Sequence, residues 1–224
     1  MSFIIIYLLL EAGNDGLGCY PDLGFVMDTA GSVSSKWMLE KEFILRLANR
    51  AKISKSGAHV AVTTFSMECP VDCESSGCPA GCPNNRPDAE LMIKFSEHTS
   101  FSSFETAVKA LPHGGMGHQI DQGMDIALTQ MFQKQSGMRI SSPKTMVLVT
   151  DGHQSGVDYA EWAKLFENAD VRVVVVGIGE EVVRNYRDFE RLVKEKSDLH
   201  LVPSFSSLLD DSLVNNINLC EGNL

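Results

Sequence analysis

The sequence predicts an α/β domain: a doubly wound, mostly parallel six-stranded sheet with one antiparallel edge strand and helices on both faces. Two patterns predict it. Strand-like and helix-like segments alternate along the chain. Val173–Val176 is also an unbroken β-branched run, which only a strand buried on both faces carries. With 224 residues, 44% of them apolar and 21% charged, the chain has enough material for one large core.

The elements follow in order. Leu23–Met27 (LGFVM) is short and continuously apolar, as a buried strand is. Phe43, Ile44, Leu47, Ala48 and Ala51 lie three and four apart and make one helical stripe within Trp37–Ala51. His59–Phe65 and Ala89–Phe95 read as strands that form the one hairpin, and Phe104–Leu111 as a short helix. Ile120, Met124, Ala127, Leu128 and Met131 form a second stripe, with both methionines in the core. Thr145–Thr150 and Val171–Ile178 are the strongest strands. Between them Tyr159, Trp162, Ala163 and Phe166 mark a helix, with Asp158 and Glu161 at capping-box spacing in front. A short strand near Leu199–Val202 and a helix over Ser206–Ile217 complete the series.

Charge and composition narrow the function. There are 19 Lys and Arg against 29 Asp and Glu, a formal charge of −10, which leaves little basic surface for nucleic acid. No apolar run approaches the ~20 residues of a spanning helix, so the chain is not expected to be an integral membrane protein. Phe3–Leu10 (FIIIYLLL) has the length of a short signal-peptide core but lacks a preceding cation and a good cleavage pattern. Residues 1–18 are therefore read as a signal-peptide remnant or an N-terminal extension, and 221–224 as a tail. The six cysteines are even in number, with Cys19 and Cys220 near the ends and Cys69, Cys73, Cys78 and Cys82 crowded together. That usage suits an oxidising compartment, and the chain is read as secreted.

In a doubly wound sheet, ligands sit beyond the carboxyl ends of the strands, where strand order reverses. The loops there carry Asp28-Thr29-Ala30-Gly31-Ser32, Gly114–His118 and Asp151-Gly152-His153. Two carboxylates at adjacent strand ends with hydroxyls between them describe an oxygen-lined site for a hard divalent cation. Thr29, Gly115 and His153 are the residues expected to meet a ligand around it. His113 is expected on the same face, while His59, His98 and His200 carry no signal.

These motifs resemble the von Willebrand factor type A domain, the fold of integrin inserted domains, matrilins and several collagen modules. The resemblance rests on DLGFVMDTAGSVS, VAVTTFS, GGMGHQIDQGMDIAL, KTMVLVTDG and VRVVVVGIG in the right order, then SFSSLL, covering Asp22 to Cys220. It implies a domain over 19–220 whose Cys-rich segment, 69–82, is an insertion in the hairpin. It also implies a metal-ion-dependent adhesion site, in which Asp28, Ser32 and Asp151 match the family's pattern. Ala30 replaces a serine ligand, and His118 stands where the family has threonine.

Three readings of the site follow. It is a vestige held by loop hydrogen bonds; or it binds Mg²⁺ or Ca²⁺ weakly with extra waters; or His118, joined by His153, makes it a transition-metal site, since imidazole suits Zn²⁺ or Mn²⁺ better than Mg²⁺.

The resemblance further implies a Cys19–Cys220 bridge, and the usual proximity of domain termini agrees. Closing about 200 residues, such a bridge is credited with about 5 kcal/mol by the chain-entropy model. In the insertion, two disulfides of open connectivity fit better than a zinc cluster, which favours C-x₂-C spacing.

No nucleophile is assembled with a base. DTAGS and TDG lack the paired order of aspartic proteases, no phosphate-binding glycine loop occurs, and GHQSG is not a nucleophile elbow. The expected function is a non-catalytic adhesion or matrix module that binds an extracellular protein, matrix or cell-surface, through the strand-end loops. The alternative is an acidic structural component of a matrix or biomineral that recruits Ca²⁺ diffusely.

Overall fold

The computed structural model describes residues 19–66, 88–114 and 117–220. Six strands form one sheet in the order β3-β2-β1-β4-β5-β6: β1 Asp22–Asp28, β2 His59–Phe65, β3 Ala89–Ile93, β4 Lys144–Thr150, β5 Arg172–Ile178 and β6 Leu199–Val202. All neighbours pair in parallel except β2 and β3, the antiparallel hairpin at one edge. The helices are α1 Trp37–Ala51, α2 Phe101–Ala110, α3 Ile120–Ile126, α4 Tyr159–Asn168, α5 Gly179–Arg184, α6 Tyr186–Leu192 and α7 Asp211–Asn216. None is long and apolar enough to cross a membrane.

Side-chain alternation divides the core into two layers. Leu23, Phe25 and Met27 of β1 point to one layer, where they meet Phe43, Ile44 and Leu47 of α1. Val26 points to the other, with Ile120, Met124, Met131, Phe166 and Phe189. Every residue of β1 and β4 is buried, as strands covered on both faces require.

Several boundaries differ from the sequence expectation. The predicted final helix breaks into a 3₁₀ turn, Phe205–Leu209, and α7, because Asp210 adopts an extended conformation between them. The stripe from Ile120 to Met131 is α-helical only to Ile126 and then makes one π turn, which keeps Ala127 and Met131 buried. The hairpin's return strand stops at Ile93, not Phe95. In front of α4, the Asp158 side chain accepts from the Glu161 amide at 3.1 Å, as the capping spacing predicts.

Cys19 and Cys220 are bridged, with Cα atoms 5.8 Å apart. The four clustered cysteines, Cys69, Cys73, Cys78 and Cys82, lie outside the described residues, and so does Gly115.

β1 is the point where the sheet reverses direction. The chain leaves it through α1 to β2 on one side, and β4 lies on the other. The carboxyl ends of β1 and β4 therefore deliver Asp28 and Asp151 side by side.

Candidate metal centre

Asp28 closes β1 and is fully buried. A buried carboxylate needs its lone pairs satisfied, and three donors do so. The Ala30 amide donates to Oδ1 at 2.9 Å, the Thr150 hydroxyl to Oδ2 at 2.6 Å, and His118 Nδ1 approaches Oδ2 at 2.6 Å. Asp151, one residue beyond β4, accepts from the Ser32 hydroxyl at 2.9 Å. Its Oδ1 lies 3.9 Å from His118 Nδ1. Asp28, His118 and Asp151 each present a ligand atom, and these atoms all lie within 4.8 Å of one another.

His118 is fixed by close packing as well as by hydrogen bonding. A Cβ built on Gly152 would fall 2.4–2.5 Å from three atoms of the imidazole ring. The glycine after Asp151 is thus what admits the ring to the site. Gly123 serves likewise one turn into α3, where a Cβ would lie 2.8 Å from the Phe65 ring. That contact lets α3 settle close to the sheet and hold the loop before it.

The electrostatics of the triad are coupled. Burial and the Asp28 charge push the Asp151 carboxyl above its ordinary value, opposed by the Ser32 hydrogen bond and His118. Burial works against a charge on His118, but the Asp28 hydrogen bond and the neighbouring carboxylates outweigh it and raise the imidazole.

The remaining expected residues fall into place as follows. Ser32 joins the cluster through Asp151. Ala30 brings no oxygen side chain but supplies its amide to Asp28. Thr29 is buried, and its hydroxyl donates to the Phe65 carbonyl at 2.9 Å, which fastens the loop to β2. His153 is engaged by neighbouring side chains. Its Nε2 lies 3.0 Å from Asp188 Oδ2, and its ring stacks on Tyr159 at 5.8 Å, directing it to α6 and away from the triad. His113 is also engaged, with Nε2 3.0 Å from the Ala30 carbonyl.

Two buried polar residues were not among the sequence candidates. Thr150 braces Asp28, and its only signal was its place before Asp151. Glu40 of α1 is fully buried, and neither carboxyl oxygen has a hydrogen-bond partner among the described residues. It had a legible signal: it stands three, four and seven residues before Phe43, Ile44 and Leu47, on the core stripe itself.

A cleft of about 540 Å³ opens beside Asp151, lined in part by Lys36, Leu39, Ile178 and Phe205. A second, of about 580 Å³, lies at the opposite end of the sheet. There Lys144 pairs with Asp170 and Arg172 with Asp198, so its charges are spent within the protein.

Comparison with known proteins agrees with this architecture. Cuticlin-6 of Caenorhabditis elegans is 24% identical over 192 residues, which are 84% of this chain and 29% of that protein. Proximal thread matrix protein 1 of the mussel byssus superposes with a TM-score of 0.72 at 17% identity, over 88% of this chain and 46% of the other. Another structure of that protein, with a zinc-occupied MIDAS motif, gives a TM-score of 0.69 at 18% identity. The chain thus spans less than half the length of these relatives. The family model of the von Willebrand factor type A domain matches residues 22–211, and with the strand order and the Asp28–Asp151 juxtaposition already in hand, the chain belongs to that family.

Proposed function

We propose that this domain is a non-catalytic extracellular matrix module that docks a protein partner at the carboxyl ends of β1 and β4. The docking uses a divalent transition-metal ion held by Asp28, His118 and Asp151, with Ser32 orienting Asp151. The observation that carries this reading is the convergence of three ligand atoms within 4.8 Å at the sheet's reversal point.

The donor set decides between ions. Two carboxylates and an imidazole suit Zn²⁺ or Mn²⁺, whereas Mg²⁺ wants near-octahedral oxygen, and Ala30 has removed one hydroxyl. Three protein donors also leave a coordination position for an acidic side chain of the partner. The zinc-occupied motif of the mussel protein supports the choice of ion. The Cys19–Cys220 bridge and the matrix protein among its structural relatives support secretion.

Isothermal titration with Zn²⁺ and Mn²⁺ tests the centre. One saturable site, lost in Asp151→Ala, is expected. The net charge of −10 favours a second reading, an acidic matrix component that gathers Ca²⁺ diffusely; many weak sites indifferent to Asp151→Ala would establish that instead. Partner capture from an extracellular matrix extract with and without EDTA then reports whether docking needs the ion.

A further inference from the structure

Gln154 stands three residues after Asp151, and both polar atoms of its side chain cross to the segment that carries His118. Its Oε1 accepts from the Asp121 backbone amide at 3.0 Å, and its Nε2 donates to Gln119 Oε1 at 2.9 Å. These partners lie one and three residues beyond His118.

The start of α3 explains why the bonds form. The first four amides of a helix have no partner within it. Gln119 is the cap residue, yet its side chain makes no capping bond among the described residues. The Gln122 amide donates to the Asp121 carboxylate at 2.8 Å, and the Gly123 amide to the Gln119 carbonyl at 3.1 Å. The Asp121 amide is satisfied from the other loop, by Gln154. A backbone amide can only donate, so it turns the Gln154 oxygen toward α3 and leaves the nitrogen for Gln119.

Gln154 is itself held. The Tyr159 hydroxyl lies 3.4 Å from its backbone nitrogen and 3.5 Å from its carbonyl. Tyr159 is buried, and its ring packs on Phe189 at 5.2 Å. The two loops therefore meet at two places: Gly152 against the imidazole of His118, and Gln154 against Gln119 and Asp121. One contact would leave the His118 segment free to pivot, and the second removes that freedom. The earlier end of the same segment is tied to the β1 loop, where His113 Nε2 lies 3.0 Å from the Ala30 carbonyl.

We propose that Gln154 is a positioning residue of the centre, a clamp that joins the His118 segment to the Asp151 loop and so sets the separation of the nitrogen and oxygen donors. His118 Nδ1 and Asp151 Oδ1 stand 3.9 Å apart. Zinc ligands lie about 2.0–2.2 Å from the ion, so two donors share one ion only within about 4.4 Å of each other. A loop shift approaching 1 Å separates them. This inference rests on the cation reading above.

Gln154→Met tests it, since methionine keeps the length of the side chain and removes both bonds. In EDTA, amide exchange followed by nuclear magnetic resonance should show the Asp121 amide exchanging faster than in wild type, with far-ultraviolet circular dichroism unchanged. Zn²⁺ affinity should fall about tenfold, and the visible bands of Co²⁺, which report donor geometry, should shift. Gln119→Met keeps the bond to Asp121 and should lose less. Added to Gln154→Met it should cost nothing further, because the contact it removes is already gone. Affinity and Co²⁺ bands equal to wild type in Gln154→Met would overturn the role of Gln154 and leave the centre standing. Losses that add in the double variant would overturn the clamp. Absence of saturable binding by wild type would overturn the centre and this role together. If Gln154→Met fails to fold, Gln119→Met decides alone: a weaker Zn²⁺ site supports the clamp, and an unchanged one overturns it.

Discussion

His118 Nδ1 lies 2.6 Å from Asp28 Oδ2 and 3.9 Å from Asp151 Oδ1, so one ring nitrogen bridges the two strand ends. In the family's pattern this place belongs to a threonine hydroxyl, and on the proposed reading the exchange of oxygen for nitrogen shifts preference from Mg²⁺ toward Zn²⁺. His118→Thr is therefore expected to weaken Zn²⁺ binding by at least about tenfold, or about 1.4 kcal/mol, and to improve Mg²⁺ binding relative to wild type. His118→Ala should weaken both. Competition titrations with the two ions on the three proteins check this directly.

The same contact makes the cation-free protein sensitive to pH. The folded imidazole titrates above its ordinary value because Asp28 and the nearby carboxylates outweigh the cost of burial. Its contribution to stability is fully present below about pH 6.5 and is lost as pH rises through the raised folded value. Thermal melts in EDTA across this interval should show a slope that His118→Gln makes shallower.

Gly152→Ala should disturb the centre without touching a ligand. The new methyl would meet three ring atoms at 2.4–2.5 Å, closer than packed atoms can approach. The ring must swing away from Asp28. Far-ultraviolet circular dichroism should remain that of the wild type, because Gly152 lies beyond β4, while Zn²⁺ affinity falls by about tenfold or more.

The bridge between Cys19 and Cys220 fastens the chain entering β1 to the chain leaving α7, across 201 residues of sequence. Cys19→Ser with Cys220→Ser should lower unfolding stability by about 2–5 kcal/mol. The triad sits at the opposite end of β1, so cation affinity of the folded fraction should not change. Denaturant unfolding followed by metal titration below the transition separates the two effects.

The strands could be read from the sequence because their burial on both faces leaves an unmistakable apolar run, as Val173–Val176 shows. Asp28 and Asp151 were legible for a topological reason, since parallel strands must end where the sheet reverses. Contacts that depend on packing were not legible. Spacing cannot say that the Thr29 hydroxyl turns to Phe65, or that the His153 ring stacks on Tyr159 instead of joining the triad. The break after Leu209 was hidden because Asp210 interrupts a helical pattern with no proline or glycine to announce it. Glu40 was visible as a carboxylate on an apolar stripe, but only the lack of a partner distinguishes it from the buried Lys41 beside it, whose ammonium donates to two carbonyls.

Glu40→Leu should stabilise the cation-free protein. A buried polar group with no partner costs about 1–3 kcal/mol, and leucine fills a similar volume without that cost. In a domain of this size the gain corresponds to a rise in melting temperature of about 2–4 °C per kcal/mol. The sign with pH follows from linkage. The unfolded carboxyl ionises near its ordinary value of about 4.3, whereas the folded one is held well above it by burial, Asp28 and Asp151. Between these values the folded state binds more protons at Glu40 than the unfolded state, so wild-type stability carries a decline with rising pH that the leucine variant lacks. The advantage of leucine should therefore be small near pH 4 and grow toward neutrality. Thermal melts of both proteins at several pH values in EDTA measure the whole pattern; an advantage independent of pH would show that Glu40 is not held as the neutral acid in the folded protein.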